Sequence, residues 1–317
     1  LTNNIVSCTM SEANSSPSAK NKEEKPKLKI LAFHGYRQNG TLFRGKIGSF
    51  RKAVSKYAQL VFISAPHRKT ICLFISDARS WWFNAEDNSF SGKCLGGPAI
   101  GFEDTLNLIK EVVEEYGPFD GFMGFSQGAC LVGILAAIFI PVSDLPYTFK
   151  FAIFASGFRS GSLVHKGFYD EDINLPSLHV YGESDSIIPK EMSESLINLF
   201  TNATVAEHSG GHYVACSGSV KEAYLDFLHE RYQDLIETQQ TYENSSVLSP
   251  QRNARPSGAV SSSSGCSPRH PGPPWTSAGG ICTGASRGPR SADAAQVHMV
   301  RCRDGCGRRA SSSSPPV

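Results

Sequence analysis

The chain has 317 residues, 40% of them hydrophobic, which is enough for one sizeable core and for one or two domains. Its formal net charge of +2 joins two unlike parts: residues 246–317 hold nine Arg, no Lys and two Asp, a net +7, which leaves −5 for residues 1–245. A mildly acidic body argues against nucleic acid or an anionic membrane as its partner.

Residues 1–26 are polar, small and charged and are expected to be disordered. The opening "LTNNIVSCTMSEANSSPSAK" has no basic region followed by a sustained apolar run, so no secretory signal is expected in it. From Lys27 the texture changes. "KLKILAFHG" predicts a short buried strand closed by glycine, and "TLFRGKIGSFRKAVSKY" carries Leu42, Phe43, Ile47, Phe50 and Val54 at helical spacing. "QLVFISAP" predicts a second strand. Residues 68–98 then form a long excursion without clear periodicity, of the length that usually builds a lid or pocket wall.

Helix "FEDTLNLIKEVVEEYG" follows, with Leu106, Ile109, Val112 and Val113 on one stripe and Gly117-Pro118 ending it. Strand "FDGFMGF", an apolar helix over 129–140, and strands "FKFAIFASG" and "SLHVYG" come next. Helix "PKEMSESLINLF", strand "ATVAEH" and helix "SVKEAYLDFLHERYQDLIE" complete the series. Residues 129–140 fall short of the roughly 20 a bilayer needs, so they predict a buried helix and no stable membrane insertion.

Strands and helices alternate, and the strands are apolar runs without period-two alternation. That pattern predicts an α/β domain over 27–245: a mostly parallel sheet with helices on both faces. Right-handed crossovers place every strand-to-helix turn at one edge, where ligands bind. Residues 246–317, rich in Ser, Gly, Pro and Arg, are expected to be a disordered tail.

Nine cysteines at irregular spacing, Cys8, Cys72, Cys94, Cys130 and Cys216 among them, suggest no disulfide framework. Cys302 and Cys306 lack a second Cys/His pair, so free thiols and no metal site are expected. The expected location is a reducing compartment, the cytoplasm or the nucleus.

One stretch carries the chemistry. In "GFMGFSQGACLVGILAAIFI", residues 121–140, an apolar strand runs through Gly124-Phe125-Ser126-Gln127-Gly128 straight into a helix. A serine hydroxyl attacks only when a base takes its proton and the oxygen is held clear of the backbone. A G-x-S-x-G turn does the second: it pushes the serine toward positive φ, and glycines two residues either side avoid Cβ clashes. Ser126 would then stand at a helix N-terminus, with the Gln127 amide free to meet an oxyanion. The competing reading makes Ser126 a plain N-cap. The flanking strand and helix favour the nucleophile.

"FHGYRQNG" supplies the Tyr36 amide as the second oxyanion donor, with Gly35 allowing close approach, while His34 reads as a satisfied core histidine. Asp185 in "SLHVYGESDSIIP" is the candidate acid, with Glu183 as rival. His212 in "VAEHSGGHYV" is the candidate base, with His208 as rival. The order Ser126, Asp185, His212 is that of α/β-hydrolases. In "SWWF", Trp81, Trp82 and Phe83 read either as acyl-pocket lining or as core aromatics; the two readings balance for Trp82, and the core is preferred for the others.

Taken together, "LAFHGYRQNG", "LVFISAPH", "ARSWWF", "GPFDGFMGFSQGA", "YGESDSIIP" and "HSGGHYV" resemble the eukaryotic family of serine hydrolases (FSH), in its ovarian-cancer-associated esterase branch, from about Lys29 to about Leu228. The resemblance implies an α/β-hydrolase fold for 27–245, no cofactor, and hydrolysis of small-molecule or lipid-like carboxylic esters with an extended acyl or alkyl chain. It carries the nucleophile onto Ser126, the acid onto Asp185 over Glu183, and the base onto His212 over His208. "GFSQG" by itself also suits acyl-protein thioesterases and lysophospholipases. "RKTICLFISD" departs from the polar, proline-containing linker expected there. From another class, the scaffold could serve as a non-catalytic binding module. Oligomeric state is left open by the sequence.

Overall fold

The computed structural model describes residues 5–6, 25–69, 77–139 and 149–247, all within the first of the two units into which the chain divides, residues 1–251. Nearly all of the expected disordered segments, 1–26 and 246–317, lie outside the described residues, as do Cys302, Cys306 and residues 70–76.

The strands are β1 (Ile5–Val6), β2 (Leu28–Phe33), β3 (Ala58–Ile63), β4 (His67–Lys69), β5 (Ala78–Ser80), β6 (Gly121–Phe125), β7 (Phe151–Ala155), β8 (Ser177–Gly182) and β9 (Ala203–His208). The α-helices are α1 (Gly40–Lys46), α2 (Gly48–Val54), α3 (Phe102–Tyr116), α4 (Gln127–Phe139), α5 (Lys190–Ile197) and α6 (Gly218–Val247). One sheet runs in the order β1-β3-β2-β6-β7-β8-β9, parallel throughout except where β1 joins β3 antiparallel. Every residue of β6, β7 and β8 is buried, which is why these strands read as unbroken apolar runs.

The chain leaves β2 toward β3 through α1 and α2, then returns over β2 to β6 through α3. Right-handed crossovers in opposite directions put α1 and α2 on one face, and α3, α4 and α5 on the other. On the first face Phe43, Ile47, Phe50 and Val54 of the α1–α2 segment meet Val220, Tyr224 and Phe227 of α6 over the sheet. The reversal also makes the carboxyl ends of β2 and β6 a topological switch point, the position at which open α/β sheets generally bind ligands. Register aligns those ends, with Phe33 opposite Gly124.

Three local differences from the expected elements have physical causes. The helix expected over 41–57 is two helices, because Ile47 (φ −97°, ψ 32°) leaves helical geometry between Gly45 and Gly48; bonds from the Ile47 amide to the Phe43 carbonyl (3.1 Å) and from the Arg51 amide to the Ile47 carbonyl (3.0 Å) carry the chain across. In α3 the buried face is Phe102, Thr105, Leu108, Ile109 and Val112, rotated away from Leu106 and Val113 because the Thr105 hydroxyl donates to the Trp81 carbonyl. The excursion is not irregular at its start: β4 and β5 pair antiparallel, and Arg79 of β5 is bonded to the loop after β2 (Arg37 amide to Arg79 carbonyl 2.8 Å; Arg79 amide to Gln38 carbonyl 2.9 Å).

Two imidazoles are built into this core without charge. His34 accepts from the Ala65 amide at Nε2 (3.0 Å) and donates from Nδ1 to the Gly35 carbonyl (2.8 Å), and burial lowers its pKa from 6.5 to about 4. His179 lies flat on Phe154 (centroids 4.4 Å), and burial lowers it to about 3. As the pH falls below 6.5, the unfolded chain binds protons that these side chains refuse when folded, so stability drops through that window and levels off below the folded values. His34 alone is expected to remove roughly 3 kcal/mol by about pH 4. Urea unfolding should show a clearly lower midpoint at pH 5 than at pH 7; equal midpoints would contradict this account.

Candidate functional site

Ser126 sits one residue past β6 and one before α4, with φ +54°. That left-handed backbone is unfavourable for a residue with a Cβ, and it persists because the surroundings dictate it. The Ser126 amide donates to the Ala155 carbonyl (2.9 Å), and its own carbonyl accepts the Cys130 amide of the first helical turn (2.9 Å). Both flanking glycines are sterically required: a Cβ on Gly124 would lie 2.3 Å from the Gly128 carbonyl oxygen, and one on Gly128 would lie 2.3 Å from that of Phe33. The sharp turn leaves the serine hydroxyl at the switch point.

His212 reaches this hydroxyl from the loop after β9. Its Nε2 is 2.9 Å from Ser126 Oγ, and its Nδ1 is 2.7 Å from Asp185 Oδ2. The Phe125 ring backs the imidazole at 4.9 Å between centroids. The loop is seated on the turn after β8: the Ser184 amide donates to the Gly210 carbonyl (3.1 Å), and a Cβ on Gly182 would lie 2.2 Å from that oxygen.

Asp185 is buried, and every acceptor direction is used. Oδ1 accepts the Ile187 and Ile188 amides (2.9 and 2.8 Å); Oδ2 accepts the Ser156 hydroxyl (2.9 Å) as well as His212. A buried carboxylate costs stability unless it is hydrogen-bonded. Ser156 was not anticipated from the sequence, where "FKFAIFASG" reads only as a strand. A second serine directly after a buried strand was the available signal.

The rivals lie elsewhere. Glu183 is exposed. His208 has its Nδ1 occupied by the Gly210 amide (3.2 Å), and its Nε2 has no hydrogen-bond partner among the described residues.

Tyr36 follows Gly35 in the loop after β2, and Gln127 directly follows Ser126. Gly35 passes so close to the elbow that a Cβ on it would lie 2.9 Å from the Phe125 ring and 3.4 Å from Ser126 Cβ. Among the described residues neither the Tyr36 nor the Gln127 amide has a hydrogen-bond partner. Two unpaired N–H groups next to a hydroxyl suit an oxygen that gains negative charge. The Gln127 side chain faces the other way and locks the excursion down, donating to the Trp82 carbonyl (2.8 Å) and accepting from the Trp81 amide (3.2 Å).

Trp81 and Trp82 have no exposed surface. Trp82 is edge-on to Phe90 (5.4 Å), Phe102 (5.8 Å) and His165 (5.4 Å). Phe90 is half-buried and also contacts Tyr36 (5.3 Å) and Phe158 (6.4 Å), so it lies nearer the surface of this layer than Trp82, which packs behind it. Among the described residues no group of three or more His, Cys, Asp or Glu could hold a metal ion, and no helix is long and apolar enough to cross a membrane.

Comparison with known proteins bears on this arrangement. The family model described as Serine hydrolase (FSH1) matches residues 23–224. The chain is 44% identical over 253 residues to Esterase CG5412 of Drosophila melanogaster, covering 77% of this chain and 90% of that protein. It is 41% identical over 223 residues to Esterase OVCA2 of Danio rerio, covering 65% and 98%. Esterase OVCA2 of Homo sapiens is 34% identical over 223 residues, covering 64% and 96%. Among solved structures, Zea mays acyl-protein thioesterase 2 is 17% identical with a TM-score of 0.47, covering 66% of this chain and 96% of that one.

Proposed function

The chain belongs to the serine hydrolase family FSH1, and from that premise we propose that it is a carboxylesterase acting through an acyl-enzyme on Ser126, with His212 as base and Asp185 as acid. One observation carries the reading: a single imidazole lies 2.9 Å from the Ser126 hydroxyl and 2.7 Å from the buried Asp185 carboxylate. That is the spacing general-base transfer requires.

His212 takes the Ser126 proton at Nε2 as Oγ attacks the ester carbonyl. The Tyr36 and Gln127 amides hold the oxyanion, and His212 returns the proton to the leaving alcohol. Water, deprotonated by His212, then attacks the acyl-enzyme; Ser126 regains its proton and the carboxylic acid departs. Asp185 keeps the Nδ1 proton in place throughout. None of these steps calls for a cofactor.

The substrate is a small-molecule or lipid-like ester whose acyl or alkyl chain runs along the half-buried rings of Tyr36 and Phe90, with the buried Phe158 and Trp82 as backing. Hydrolysis of p-nitrophenyl esters graded from acetyl to palmitoyl tests this, each alongside its matching thioester. An oxyester preference and a rise in kcat/KM with chain length are expected; a preference for the thioesters would favour a thioesterase. Phe90→Ala removes one apolar wall and should lower kcat/KM for the long-chain esters by about tenfold, leaving the acetyl ester within about twofold. Equal losses at all lengths would remove Phe90 from the pocket.

A further inference from the structure

Asp185 Oδ2 serves two donors, His212 and Ser156. Ser156 is 1% exposed and lies one residue past β7, with φ +48°. Register pairs Phe125 with Ala155, so Ser126 and Ser156 occupy equivalent positions on neighbouring strands. Both have left-handed backbones, and each donates its amide to a carbonyl of the next strand, Ala155 for Ser126 and Val180 (2.8 Å) for Ser156. The same elbow is therefore built twice.

At the first elbow the hydroxyl faces the crevice; at the second it faces the carboxylate. Glycine would fit the second backbone with less strain, and Gly157 stands next door with the strain left on the serine. A buried hydroxyl also costs stability unless it is bonded. The bond it makes is to Asp185.

We infer that Ser156 is a positioning residue for the proposed hydrolysis: its hydroxyl fixes the Asp185 carboxylate so that Oδ2 stays on His212 Nδ1. The inference rests on the triad reading above. The two amides on Oδ1 hold one end of the carboxylate, and the Ser156 hydroxyl supplies the lateral hold at the other. Its dipole also takes up part of the carboxylate's negative charge, which otherwise stabilises the His212 imidazolium. Among the other titratable groups, His208 interacts with Asp185, and Glu183 and Glu207 act on His208; none of the three is bonded to the Ser156 hydroxyl.

Two variants separate hydroxyl from backbone. Ser156→Ala loses the hydroxyl and keeps the strain, whereas Ser156→Gly loses the hydroxyl and relieves it. Both should lose about tenfold in kcat, the scale of one hydrogen bond to a charged group, with KM within about twofold. Both should move the acidic limb of the pH profile of kcat/KM upward by about half a unit. Should Ser156→Ala fail to fold, Ser156→Gly carries the test alone. Wild-type kcat and an unmoved limb in Ser156→Gly would overturn the inference and leave only a backbone role. Fluorophosphonate labelling of the unaltered protein, with the modified residue mapped, is run beside it: absence of label on Ser126 removes the triad reading and this inference together, whereas label on Ser126 with a wild-type-like Ser156→Gly removes the inference alone.

Discussion

Ser126→Ala is expected to lower kcat by 10³-fold or more and to abolish fluorophosphonate labelling, while leaving the melting temperature close to that of the parent chain. The loss is severe because the hydroxyl is the group whose bond to the acyl carbon defines the reaction. The residual rate reflects what the substitution leaves intact: two unpaired amides and an apolar wall that still bind and polarise an ester. Alanine retains a Cβ at φ +54°, so the strain at the elbow is unchanged. Glycine at the same position would relieve it and should give an inactive chain more stable by about 1 kcal/mol. Turnover near the parent value in Ser126→Ala would exclude the residue as nucleophile. Label mapped onto Ser156 would show that the wrong elbow had been chosen.

Asp185→Asn is the second large effect, with kcat/KM expected to fall on the order of 10⁴-fold. The geometry fixes how the amide must sit. The Ile187 and Ile188 amides both donate to the Oδ1 position, so the asparagine oxygen must occupy it, and the NH₂ is forced toward Ser156 and His212 Nδ1. A donor facing Nδ1 drives the imidazole proton to Nε2, and the nitrogen that should accept the Ser126 proton is then already protonated. Fold and hydroxyl would remain in place while the base fails. Glu183→Gln, on an exposed side chain, should stay within about twofold of the parent. The reverse ranking of the two variants would show that the acid had been assigned to the wrong side chain.

Much of this was legible in the residues. The buried strands over 121–125 and 151–155 could be read because a strand covered on both faces must be apolar throughout, and the elbow could be read because Gly124 and Gly128 have no tolerated substitute where backbone passes within Cβ distance. His34 was legible as a core residue because it directly ends an apolar strand. Less legible were features set by a contact from elsewhere in the chain. The Thr105–Trp81 bond turned the buried face of α3, and Leu42, on the expected apolar stripe, is 40% exposed. The loop anchoring of Arg79 and the placing of Trp82 behind Phe90 likewise depend on segments far apart in sequence.

By itself the sequence determined the alternation of elements, the position of the nucleophile elbow and the order Ser126, Asp185, His212, because periodicity and local turn sterics are properties of contiguous residues. The family resemblance chose Asp185 over Glu183 and His212 over His208; only the tertiary structure decided that His212 meets both Ser126 and Asp185, and brought Ser156 onto the carboxylate. Those contacts turn on which side chains meet across parallel strands joined by long crossovers, and register in a parallel sheet is set by packing on both faces at once, which no single stretch of chain encodes.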